Sequence, residues 1–148
     1  MTVEAARPED LRGLLPLMRG YCDFYEASPS DRGLEEMARA LISSEEADGM
    51  LLVARGEGGE PLGFAAVGWK WSSLRGARIA VLEDLFVTEA ARGHGAGRAL
   101  IDACAERARS HGAPALTWTT ALDNHRAQAL YAAVGAKGEP WLEYELEL

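Results

Sequence analysis

The sequence is most informative at first for what it has little of. Two cysteines, Cys22 and Cys104, stand far apart inside apolar stretches of a 148-residue chain, which excludes a disulfide framework or a zinc knuckle and leaves reduced core thiols. Lysine occurs only at positions 70 and 137, and Lys plus Arg number 15 against 23 Asp plus Glu, a formal charge of −8. A protein that grips nucleic acid by its phosphates has the opposite balance. No stretch holds eighteen consecutive apolar residues and no signal-type apolar block opens the chain, so the expectation is a cytoplasmic protein with no membrane partner. The three histidines are scattered, and no metal site is expected.

What is present fits one ordinary domain spanning residues 1–148. Apolar residues make up 48% and charged residues 26%, enough for a real core and too mixed for disorder or low complexity. The acidity is uneven. Residues 1–60 hold thirteen acids and six bases, net −7, whereas residues 61–148 hold ten acids and nine bases, net −1. Solubility alone accounts for a negative surface, and a site for cationic amines is the alternative.

Periodicity gives the organisation. A short strand at Thr2–Ala6 meets Pro8-Glu9-Asp10, a helix-start signal, and Leu11, Leu14, Leu15, Met18, Cys22 and Tyr25 then form one helical stripe in which Pro16 predicts a kink. Leu34, Met37, Ala38, Leu41 and Ile42 mark a second helix. Apolar runs at Met50–Ala54 and Leu62–Trp69 flank a Gly-rich turn and read as a hairpin, with a third antiparallel strand at Ile79–Val87. A helix ending near Gly112, a strand at Ala115–Ala121, a helix from Asn124 to Gly135 and an alternating strand at Leu142–Leu148 complete the chain. The order predicts an α/β (α+β) fold: a mixed, partly antiparallel sheet flanked by helices, with a right-handed parallel crossover between residues 79 and 121.

The chemistry concentrates at Arg92-Gly93-His94-Gly95-Ala96-Gly97, which joins a strand to a helix, where free N–H groups and the helix dipole favour anions. The run lacks the Gly-Lys-Ser/Thr of a P-loop and is G-x-G-x-G rather than G-x-G-x-x-G. It resembles instead the pyrophosphate loop of the GNAT N-acetyltransferase superfamily, Arg/Gln-x-x-Gly-x-Gly/Ala, matched by Arg92, Gly95 and Gly97. Asn124, Ala127, Leu130, Tyr131 and Gly135 match that family's second motif, N-x-x-A-x-x-L-Y with a closing glycine. The run Glu83-Asp84-Leu85-Phe86-Val87 is similar to the corresponding strand of spermidine/spermine N-acetyltransferases.

The resemblance implies an acyl-CoA N-acyltransferase fold with acetyl-CoA as co-substrate. It implies main-chain pairing of Leu85, Phe86 and Val87 with the pantetheine arm, and a pyrophosphate seat on Arg92, Gly93, His94, Gly95, Ala96, Gly97 and Arg98. Asn124 lies near the arm or caps its helix, and the resemblance makes Tyr131 the proton donor to the departing thiolate. Glu83 and Asp84 interrupt an apolar strand, and by alternation they are expected on opposite faces. Glu83 is a candidate general base; a salt bridge or a solvated strand position is the competing reading. The four tryptophans are expected to pack the sheet. The resemblance further implies a homodimer, and an acceptor wall around the first two helices carrying Asp23, Glu26, Asp31, Glu35 and Glu36. The expected activity is acetyl transfer to a small cationic amine by direct attack in a ternary complex. The alternatives are a protein-lysine or N-terminal acetyltransferase, or a non-catalytic acyl-CoA sensor.

Overall fold

Glycine and polar residues at 56–60 let the chain reverse between two apolar runs. In the computed structural model, which describes all 148 residues, these runs are the antiparallel strands β2 (Gly49–Arg55) and β3 (Pro61–Ser72). Gly59 sits at φ +81°, and the Gly56 N–H donates to the Glu60 carbonyl at 2.9 Å to close the turn. β1 (Thr2–Ala5) pairs antiparallel with β2, and β4 (Ala77–Val87) pairs antiparallel with β3. β5 (Leu116–Thr117) lies parallel to β4 after a helical crossover. The five strands stand in sequence order in one mixed sheet.

Two helices cover one face. α1 (Leu11–Phe24) runs through Pro16 as one helix, and α2 (Asp31–Ser43) starts at Ser30, whose side chain accepts the Gly33 N–H at 3.0 Å. Leu14, Leu17, Met18, Cys22, Leu34 and Ala38 from these helices form a core with Leu51, Val53, Phe64 and Ala66 of the sheet. The alternate residues Leu52, Ala65 and Val67 face the other way, towards α3 (Ala96–Ser110), which buries Leu100, Ile101, Cys104 and Ala108.

The chain divides into two compact units, Met1–Trp118 and Thr119–Leu148. The first holds the sheet and the three helices just described. The second holds α4 (His125–Ala133), capped by Asn124, whose side chain accepts the Ala127 N–H at 3.2 Å, and ended by Gly135 at φ +85°.

Three expectations change. The strand at Ala115–Ala121 shrinks to Leu116–Thr117, because only Leu116 and Thr117 find ladder partners, on Ala80 and Val81. The alternating Leu142–Leu148 segment forms no strand: Leu142, Tyr144, Leu146 and Leu148 are all exposed. Alternation marks one apolar side, yet a strand exists only where a neighbour supplies hydrogen bonds. Trp71 and Trp141 are likewise exposed, at 77% and 85%, while Trp69 donates from its indole to the Glu46 carbonyl at 2.8 Å and lies under the Arg78 guanidinium.

Candidate active site

Everything at this site follows from an irregularity in β4. Ala66 pairs with Asp84 and Val67 with Leu82, so Glu83 is an extra residue with no partner on β3. Such a bulge turns two consecutive side chains to one side. Asp84 therefore shares the face of Ala66. Glu83 reaches the same side, its Oε1 3.7 Å from the point where a Cβ on Gly68 would stand. The expected opposite orientation of the two acids fails for this reason, since simple alternation presumes an unbroken ladder. Both carboxylates lie on the α1 and α2 face of the sheet.

Their surroundings differ. Glu83 is exposed. Asp84 is half-buried, and desolvation holds its carboxyl above the ordinary carboxylate range, opposed by a hydrogen bond with Tyr21 and reinforced by the neighbouring Glu83 charge. Tyr21, on α1, also meets the bulge backbone: its hydroxyl donates to the Glu83 carbonyl at 3.2 Å. Burial and the Asp84 charge push the Tyr21 phenol well up. No basic side chain pairs with Glu83 or Asp84.

The acids of the first two helices are different again. Glu35 pairs with Arg39 at 2.7 Å, Glu36 with Arg32 at 2.8 Å and Asp31 with Arg19 at 2.5 Å. These three helix acids are thus compensated locally by arginines of the same two helices.

Beyond the bulge, β4 has a free second edge. β5 pairs with it only at Ala80 and Val81, so no strand accompanies Leu85, Phe86 and Val87 on that side. The Phe86 ring is committed to α1, with Cζ 2.8 Å from where a Cβ on Gly20 would stand, and its carbonyl faces Gly63 of β3. The chain then passes through a 3-10 turn at Glu89–Ala91 into the Gly-rich loop. Gly93 and Gly95 adopt φ +81° and +87°, conformations costly for side-chain-bearing residues, and nothing lies within 4 Å of a Cβ placed on either. The first main-chain bond of α3 runs from the Ala99 N–H to the Gly95 carbonyl at 3.0 Å, so the N–H groups of Ala96 and Gly97 precede the helical ladder. This open cradle at a helix start suits a phosphate group.

Arg92 is partly spent on scaffolding. Its Nε donates to the Val87 carbonyl at 3.0 Å and its guanidinium lies 5.9 Å from the Phe86 ring centroid, locking the strand end to the loop. His94 Nδ1 lies 3.0 Å from the Arg92 carbonyl, and Arg98 pairs with Asp102 at 3.5 Å along α3. In the second unit, Asn124 and Tyr131 stand seven residues apart on α4, two turns and hence one face. The capping role of Asn124 is realised there. Sequence reading passed over Tyr21, a residue whose only sequence signal was its place beside the apolar stripe of α1.

The fold agrees with the comparisons. The model of the acetyltransferase (GNAT) family matches residues 15–136, and the chain belongs to that family. It is an N-acetyltransferase with the GNAT fold, a family that uses acetyl-CoA. An uncharacterized N-acetyltransferase, YhfO of Bacillus subtilis (strain 168), is 34% identical over 135 residues, covering 91% of this chain and 89% of the relative. The D-amino-acid N-acetyltransferase HPA3 of Saccharomyces cerevisiae is 33% identical over 138 residues, covering 93% and 85%. The thialysine N-epsilon-acetyltransferase of Bos taurus is 32% identical over 142 residues, covering 91% and 83%. The crystal structure of a probable acetyltransferase superposes with a TM-score of 0.86 at 25% identity, covering all of this chain and 98% of the other.

Proposed function

We propose that the protein transfers the acetyl group of acetyl-CoA directly to the primary amine of a small cationic acceptor. The observation that carries this reading is the pair of carboxylates without basic partners that the β4 bulge turns to one face, beside a strand edge left free for the co-substrate. A protonated amine meets uncompensated negative charge there. The relatives named for D-amino acids and thialysine support a small amine over a macromolecule.

In this reading Glu83 takes a proton from the acceptor. The need is large, because an amine of pKa near 10.4 is only about 0.1% neutral at pH 7.4, a handicap of roughly 4 kcal/mol. The exposed position of Glu83 lets it pass that proton to water. Main-chain atoms of Leu85, Phe86 and Val87 bind the pantetheine arm as an added strand, and their N–H groups stabilise negative charge on the reacting carbonyl oxygen. The loop from Arg92 through Gly93, His94, Gly95, Ala96 and Gly97 to Arg98 holds the pyrophosphate, and Asn124 adds an amide near the arm. Tyr131 gives its proton to the departing sulfur. The new N–C bond forms as the C–S bond breaks; no acyl-enzyme is needed. Local similarity to spermidine/spermine acetyltransferases at residues 83–87 makes a polyamine one acceptor to test. The chain acts in the cytoplasm, as a homodimer.

The test is CoA release measured with acetyl-CoA across polyamines, aminoglycosides, D- and L-amino acids, and lysine peptides. Release on a small di- or polycationic amine is expected. Turnover confined to lysine peptides, or tight CoA binding with no release on any amine, would contradict the reading.

A further inference from the structure

Tyr21 is the one side chain that ties the acceptor-side helices to the bulge by a hydrogen bond. Its ring is fixed from two sides, 4.9 Å from the Tyr25 ring and 6.2 Å, edge-on, from Phe64. Its hydroxyl donates to the main-chain carbonyl of Glu83. That carbonyl belongs to the residue for which β3 offers no partner, so the α1 phenol replaces a missing sheet contact at the most deformable point of β4. The same hydroxyl is shared with Asp84. A phenol has one proton, and it cannot serve the Glu83 carbonyl and an ionised Asp84 together. With Asp84 protonated, the acid donates to the Tyr21 oxygen and Tyr21 donates onward to the bulge; with Asp84 ionised, the phenol is drawn to the carboxylate.

We propose that Tyr21 is a positioning residue of the transfer reaction: it fixes the β4 bulge, and through it the direction in which Glu83 points towards the acceptor amine. The inference rests on the assignment of Glu83 as base made above. It adds a residue that acts through Glu83, and it links the acceptor side of the cleft to the strand that binds the co-substrate. The titratable groups facing Asp84 are Tyr21 from α1 and Glu83 on its own strand; β3 presents only Ala66 and Gly68 there.

Tyr21→Phe, Glu83→Gln and the double variant test this, each measured for kcat, amine KM and acetyl-CoA affinity, with Asp84 followed by carboxyl carbon-13 titration. Tyr21→Phe keeps the ring packing, so the fold is expected to persist. It lowers kcat about tenfold while acetyl-CoA affinity stays within about twofold, and in the Glu83→Gln background it adds less than about twofold. The Asp84 midpoint rises, because a hydrogen bond to its ionised form is lost. An impaired Glu83→Gln beside a Tyr21→Phe enzyme of wild-type kcat overturns this proposal alone, as does a full tenfold loss in both backgrounds or an unmoved Asp84 midpoint. A Glu83→Gln enzyme with wild-type kcat overturns the base assignment and this proposal with it.

Discussion

The two faces of the sheet solve different problems. Towards α3 the buried residues are apolar, Leu52, Val67 and Leu82 on the sheet and Leu100, Ile101 and Cys104 on the helix, and burial pushes the Cys104 thiol up to about 12. Towards α1 and α2 the aromatic core of Phe64, Phe86 and Tyr21 ends in Asp84 and Glu83. The first face supplies stability and has no reactive group; the second accepts a poorly solvated carboxyl, which costs stability and makes chemistry possible. The bulge is the device that separates them. It delivers both acids to one side of a strand that otherwise continues the core.

Substitutions on each face sharpen that contrast. Leu100→Ala, at a fully buried position on the α3 face, should cost about 2–5 kcal/mol by urea denaturation while kcat per folded molecule holds. A comparable loss of kcat would mean that this face is not merely structural. Tyr131→Phe should lower kcat by about one to three decades with acetyl-CoA still bound, and unchanged turnover would remove Tyr131 from the mechanism.

Asp84→Asn works in the opposite sense on stability. Because its ionisation is disfavoured in the fold, the folded chain keeps a proton that the unfolded chain has already released just above the ordinary carboxylate range, and stability falls as pH rises through that window. The Asn variant lacks this loss. Its urea midpoint should gain on the wild type as pH rises above the ordinary carboxylate range, and parallel pH curves would show that burial of Asp84 carries no cost.

Smaller effects belong to the helix acids. Since Glu35 and Glu36 already pair with Arg39 and Arg32 on exposed surface, converting both to Gln should change stability by less than about 1 kcal/mol and amine KM by less than about threefold. A larger rise in KM would restore the acidic wall of α2 as part of the acceptor site. Smallest of all, replacing both buried cysteines by Ala should leave kcat intact, as direct transfer requires; a folded, inactive thiol-free enzyme would demand an acyl-enzyme.

Much of this was legible beforehand. Apolar period gave every helix and the first four strands, and the Gly loop and the Asn124–Tyr131 spacing carried the family. The bulge was not legible, because Glu83-Asp84 reads the same whether or not β3 supplies a partner for each. Tyr21 was hidden for a related reason: its hydroxyl bonds a carbonyl sixty-two residues away, and no local pattern encodes that contact. The tail failed oppositely, since Leu142–Leu148 alternates as a strand does without a ladder to join. Charge counting gave the net charge of the front and not its placement: arginines four or twelve residues away stand against Glu35, Glu36 and Asp31, so the uncompensated charge lies elsewhere.

The central claim is that the bulged face, through Glu83, activates the amine. Glu83→Gln with its best small amine tests it most directly, with kcat/KM and acetyl-CoA affinity determined on the same folded sample. The account predicts a fall in kcat/KM of about a hundredfold or more, relieved as pH rises and the amine loses its proton unaided, with acetyl-CoA affinity unchanged. Wild-type kcat/KM across neutral pH would contradict it.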